Sequence, residues 1–114
     1  MKEQILMKKE YNKLIRDRIP EIIAANGQTA ATRTLTDAEY AAALERKLQE
    51  EVAEYLESKA PVELADVLEV VEALAENAGV SFEELLHMKT EKRRANGAFQ
   101  KKLFLEYVED RREG

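Results

Sequence analysis

Residues 48–71 read LQEEVAEYLESKAPVELADVLEVV, and this stretch decides the fold. On either side of Ser58, Lys59 and Ala60 the apolar residues recur every three or four positions, the period of an amphipathic helix. The reading is therefore two helices joined by a tight connection. Glu51 and Glu54 fall one turn apart on the first, and Glu63 and Asp66 one turn apart on the second. Folding back at the connection sets Glu51 level with Asp66, and Glu54 level with Glu63. Four carboxylates so arranged repel one another at neutral pH unless protonated or neutralised, and a divalent cation is the simplest neutraliser.

Working outward, the helix punctuation is clear. Thr36 with Glu39 forms a capping-box pattern that starts the long helix, predicted to run to about Ser58. Pro61 suits the first turn of the next helix, which continues to Gly79. Ser81 with Glu84 repeats the capping pattern and opens a last helix reaching Asn96-Gly97. Upstream, Pro20 opens a short helix through Ile22, Ile23 and Ala25 that stops at Asn26-Gly27. The threonine-rich QTAATRTL, residues 28–35, has no helical period and reads as extended chain. The segment beginning at Ala98 alternates around Phe99, Leu103, Leu105 and Val108, so a short strand pair between it and the threonine-rich stretch is an expectation. No repeat or internal linker divides the chain.

Composition bounds the chemistry. A chain of 114 residues is read as one domain, with residues 1–6 a dispensable extension and Met7 an alternative start. Without cysteine there is no disulfide and no thiolate ligand, so metal chemistry falls to oxygen and nitrogen. The net charge of -5 disfavours a nucleic-acid polymer as partner. The start of the chain is too short in apolar residues for a secretory signal and no segment approaches a bilayer span, so the expectation is a cytoplasmic protein without membrane contact.

Helical phase separates the site acids from ordinary ones. At about 100° per residue, Leu44, Leu48, Val52 and Tyr55 form the apolar stripe of the long helix, with Glu51 at its edge. On the next helix Leu64, Val67, Leu68, Val71 and Leu74 form the inward arc, flanked by Glu63 and Asp66, while Glu69, Glu72 and Glu76 project from the other side. Acids at helical spacing are ordinarily a solvated face. Here they sit on apolar flanks, where an unpaired ionised carboxylate costs several kcal/mol. A di-iron bundle would use carboxylates too, but it needs two Glu-x-x-His pairs and His87 is the sole histidine. An all-oxygen set suits Mg²⁺, with Mn²⁺ also fitting.

Two basic segments could hold a polyphosphate: Lys13, Arg16 and Arg18 in KKEYNKLIRDRIP, and Lys92, Arg93 and Arg94, with Lys101 and Lys102, in KTEKRRANGAFQKK. Arginine grips phosphate with paired hydrogen bonds and lysine supplies a mobile charge. Lys47, one turn before Glu51, reaches the same cluster. Each basic run alone is ordinarily a solubilising surface; beside a carboxylate cluster they point to a phosphorylated ligand.

KLQEEVAEYLE followed by ELADVLEVVEALA resembles the EExxE and ExxD motifs of the MazG-like all-α nucleoside triphosphate pyrophosphatases. YNKLIRDRIPEII and EKRRANGAFQKKLFLE are similar to the branch described as house-cleaning pyrophosphatases, so the resemblance spans nearly the whole chain. It implies an all-α bundle completed by dimerisation. It also implies Mg²⁺-dependent cleavage of a nucleotide between its α and β phosphates, giving monophosphate and pyrophosphate. Transferred by position, the metal ligands are Glu51, Glu54, Glu63 and Asp66. Glu50 or Glu51 is the acid that handles the attacking water. Phosphates fall to Lys13, Arg16, Arg18, Lys47, Lys92, Arg93 and Arg94. Two departures stand out: the link between motifs is shorter than is common, and NGAF replaces a segment that often has two glycines before the phenylalanine. Phosphoribosyl-ATP pyrophosphohydrolase is the nearest enzyme alternative, and a catalytically silent helical module that binds a nucleotide or a protein is the alternative of a different class.

Overall fold

A computed structural model describes residues 7–110, so the residue 1–6 extension and the choice between Met1 and Met7 lie outside the described residues. Among the described residues four helices follow one another: α1 Ile19–Ala25, α2 Asp37–Ser58, α3 Pro61–Asn77 and α4 Phe82–Asn96. The chain is all-α. Among the described residues there is no strand, which corrects the expected strand pair between residues 28–35 and the segment after Ala98. The physical reason is that neither stretch meets a partner within the chain: apart from turns at their ends, neither makes a backbone hydrogen bond.

The helix ends follow local chemistry. Thr36 and Glu39 form a reciprocal box: the Glu39 N–H donates to Thr36 Oγ1 at 3.2 Å, and the Thr36 N–H donates to Glu39 Oε1 at 3.1 Å. Arg33 adds a fork, donating to both oxygens of Glu39 at 3.1 and 2.8 Å. These bonds, Arg33 first, hold the Glu39 carboxyl down at about 2. Ser81 accepts from the Glu84 N–H at 3.1 Å and starts α4 in the same way. Pro20 and Pro61 occupy first-turn positions, where a missing N–H costs nothing.

The α2–α3 connection is as short as the sequence suggests. Lys59 takes the left-handed conformation at φ 58°, and its N–H donates to the Tyr55 carbonyl at 2.7 Å, closing α2. A Cβ in that region is strained, which is why glycine is usual there. Ala60 then extends and Pro61 restarts the helix, so α2 and α3 pack side by side as an antiparallel hairpin.

Burial within the hairpin is sparse. Ala43 and Leu44 of α2 and Val70 of α3 form the buried apolar core, and Glu51 is buried beside them. The expected inward arc of α3 is corrected in part: Val67, Val71 and Leu74 are half-buried as expected, but Leu64 and Leu68 remain 48% and 50% exposed while Val70 is buried. The seam turns toward Asp66, Val70 and Ala73 because α3 has only α2 on one side and a short contact with α4 on another. The radius of gyration is 21.4 Å, against about 13 Å for a compact chain of this length. No helix among the described residues is long and apolar enough to cross a membrane.

Two predictions follow from the caps. Lys59→Gly should stabilise the chain by about 0.5–1 kcal/mol by relieving the left-handed strain, measured by urea denaturation. Glu39 has a depressed carboxyl pKa in the folded chain, so its stabilising contribution is present above the unfolded value of 4.5 and is lost as pH falls toward about 2. Glu39→Gln should therefore flatten the stability-against-pH curve across that window and leave its shape at neutral pH unchanged.

Candidate functional site

The hairpin register brings acids from both helices to one point. One carboxylate oxygen from each of Glu51, Glu63 and Asp66 lies within 4.8 Å of the others. Antiparallel packing produces this because Glu51 is on the last two turns of α2 and Glu63 and Asp66 are on the first two of α3, at comparable distances from the turn. Glu54 stands outside this group of three and is exposed, but it is close enough to Glu51 to act on its proton. Of the four carboxylates expected to converge, three do so and the fourth stands at the edge.

Glu51 is the centre of the arrangement. It is only 8% exposed, and its Oε2 is buried without a hydrogen-bond partner. Its other oxygen, Oε1, lies 3.4 Å from Lys47 Nζ. Burial first, and then the neighbouring Glu54, raise the Glu51 carboxyl above its ordinary value, with Lys47 opposing them. Glu63 is raised as well, by desolvation and then by Asp66 and Glu51. An orphaned buried oxygen is expensive, on the order of 1–3 kcal/mol, so the folded chain holds an acceptor that its own side chains leave unsatisfied.

Basic residues surround the acids from two directions. Lys13, ahead of α1, donates to Glu50 at 2.9 Å, and Lys47 donates to the other oxygen of Glu50 at 3.3 Å. Desolvation is the largest single influence on Glu50 and raises its pKa, but the hydrogen bonds and charges of the two lysines together outweigh it and leave the pKa lowered. The Lys13 ammonium is correspondingly raised, chiefly by its hydrogen bond to Glu50. Arg16 donates to Asp66 at 2.7 Å. The segment before α1 thus lies across the hairpin, with Leu14 and Ile15 against the groove and Lys13 and Arg16 reaching α2 and α3.

The groove measures about 280 Å³ and runs from the acid cluster toward Tyr40 and Glu76. Its walls include Glu69 and Glu76, which the helical phase had assigned to the far side of α3; with Val70 rather than Leu68 at the seam, that face rotates into the groove. Tyr40 was also missed. Its signal was available, since positions 40, 44, 47 and 51 share one helical face. Arg18 pairs at 3.5 Å with Glu21 on α1 and does not line the groove. Lys92, Arg93 and Arg94 lie near the end of α4, away from the groove, and Arg94 is held by Glu91 at 2.7 Å.

An uncharacterised protein of Mycolicibacterium smegmatis is 66% identical over 41 residues, a stretch covering 36% of this chain and 42% of that protein. The match thus spans less than half the length of that relative. No known family's sequence profile matches the chain, and no solved structure does.

The Lys47–Glu51 contact has a measurable consequence. Lys47→Met should cost about 1–3 kcal/mol, because it strands the buried Glu51 carboxylate without its nearest positive charge. Adding Glu51→Gln should return most of that loss. Urea denaturation at neutral pH without divalent cations tests the cycle, and equal costs of Lys47→Met in the two backgrounds would show that the pair is not coupled.

Proposed function

We propose that this chain is a Mg²⁺-dependent nucleotide pyrophosphohydrolase that works as a homodimer. The supporting observation is the convergence of Glu51, Glu63 and Asp66, with Glu51 buried and its Oε2 without a hydrogen-bond partner, and Lys13, Arg16 and Lys47 alongside. The donor set is all carboxylate, which fits a hard divalent cation, Mg²⁺ or Mn²⁺. The likeness of the acidic motifs to the MazG-like pyrophosphatases supplies the reaction class, and the house-cleaning branch supplies noncanonical nucleotides as the substrate group.

In this reading Glu51, Glu63 and Asp66 hold the cation, with Glu54 completing the set from the edge. When bound, Mg²⁺ offsets phosphate charge and makes water more acidic. Glu50 or Glu51 accepts the proton of the attacking water. Glu50, oriented by Lys13 and Lys47, keeps its carboxylate ionised at neutral pH and so free to accept a proton, although the lysines that lower its pKa also make it a weaker base. Arg16 and Lys13 retain the leaving pyrophosphate. Water adds to the α phosphorus and the bond to the β-phosphate oxygen breaks. The products are monophosphate and pyrophosphate.

One observation favours a second reading, a catalytically silent binding module. Arg16 and Lys47 already neutralise Asp66 and Glu51, so part of the cluster's charge is balanced within the chain.

The two readings separate experimentally. Mg²⁺ should raise thermal stability, by about 2.7 kcal/mol at one hundred times its dissociation constant, and Glu51→Gln or Asp66→Asn should abolish most of the response. In ¹⁸O-labelled water, label should enter the monophosphate alone across a panel of canonical and damaged nucleotides that includes phosphoribosyl-ATP. Mg²⁺ binding without turnover of any member supports the silent module. Equal Mg²⁺ responses in wild type and both variants would remove the metal site, and label in pyrophosphate would remove α attack.

A further inference from the structure

Beyond the acid cluster, the chain leaves a long apolar segment without a partner. Residues 98–110 follow α4 outside helix and strand, with one turn closed by the Lys102 N–H on the Phe99 carbonyl at 3.0 Å. Phe99, Leu103, Phe104, Leu105, Tyr107 and Val108 are each between 72 and 95% exposed. The three aromatic residues alone offer on the order of 500 Å², about the size of the largest apolar patch that a monomer ordinarily leaves in water. This arm does not fold back on the hairpin: α4 packs only on α3, and the chain extends 92 Å along its longest axis, whereas α2 is about 33 Å long.

A second segment has the complementary deficiency. Residues 29–35 connect α1 to α2 without helix, strand or backbone hydrogen bonds, although Arg33 anchors the stretch to Glu39 at the start of α2. Its threonines suit a strand, as do Phe104, Tyr107 and Val108 of the arm. Backbone groups buried under apolar side chains must be paired, and strand addition between these stretches pairs both sets.

We propose that residues 103–110 of one copy of this chain add as a strand to residues 29–35 of a second copy, and reciprocally, so that two exchanged arms clasp the dimer. The occupant is a second copy because the basic lead-in to the arm and the apolar area both suit one. Residues 37–77 carry twelve acids and three bases, whereas residues 89–102, which lead into the arm, carry six bases and one acid. The arm's own residues 103–110 carry Glu106, Glu109 and Asp110 and no base, so the charge complementarity lies in the lead-in alone. An arm seated beside the start of a partner's α2 brings Lys101 and Lys102 onto that acidic hairpin. A stable interface needs about 800 Å² from each partner. In a twofold pair each copy gives one arm and receives one, and the exposed Leu64 and Leu68 of α3 add further apolar surface. The pairing rests on the dimer of the proposed function but not on its metal or reaction.

The absence of cysteine permits a direct test. A nitroxide is attached at Glu106→Cys on unlabelled chain, which is refolded together with ¹⁵N-labelled wild-type chain. Amide signals of residues 29–35 in the ¹⁵N chain should broaden, and the same amides should resist hydrogen exchange in the full chain but lose that protection in a chain stopped after Gly97. Broadening at 29–35 only when label and ¹⁵N share a chain would mean that the arm folds back, and would overturn the exchange. A dimer by sedimentation with residues 29–35 unbroadened would overturn the arm and leave the dimer standing. A monomer at all concentrations would overturn both.

Discussion

Everything in this structure hangs on the register of one helical hairpin. The left-handed residue at Lys59, the extended Ala60 and the helix-starting Pro61 reverse the chain in so few residues that α2 and α3 have little freedom to slide. Adding or deleting one residue in the last turn of α2 or ahead of Glu63 in α3 would rotate the acids of one helix against those of the other by about 100°. The same hairpin that buries Leu44 and Val70 brings Glu51 to Asp66, so packing and site geometry are one constraint.

That constraint is costly because the core around it is small. Three buried apolar residues must support a buried carboxylate, and a carboxylate in such a place is tolerated only when opposing charge is near. Lys47 supplies this from the preceding turn of α2, while the segment ahead of α1 supplies Lys13 and Arg16 from outside the hairpin. The N-terminal basic segment is therefore part of the site's electrostatic structure. The site nevertheless keeps an acceptor free, Glu51 Oε2, which the proposed cation would satisfy.

Exposure tells a complementary story. Leu64 and Leu68 lie open on α3, and the arm after α4 carries its aromatics into solvent. Hydrophobic surface on this scale is the usual mark of an association face. The acidic hairpin and the basic stretch leading into the arm give such a face an electrostatic sense as well as an apolar one.

The helices, their caps and the level placement of Glu51 and Asp66 were legible in the sequence, because capping, proline position and the 3.6-residue period act locally and do not depend on the rest of the chain. Only the tertiary structure decided which flank of α3 became the seam. Phase alone favoured the arc of Leu64 and Leu68, whereas packing mainly against α2, with only a short contact to α4, buried Val70 and turned Glu69 and Glu76 into the groove. It also decided that Lys13 and Arg16 reach the acids while Lys92, Arg93 and Arg94 do not. Contacts such as Arg16 with Asp66, fifty positions apart, depend on the path of the intervening chain, and no local pattern encodes that path.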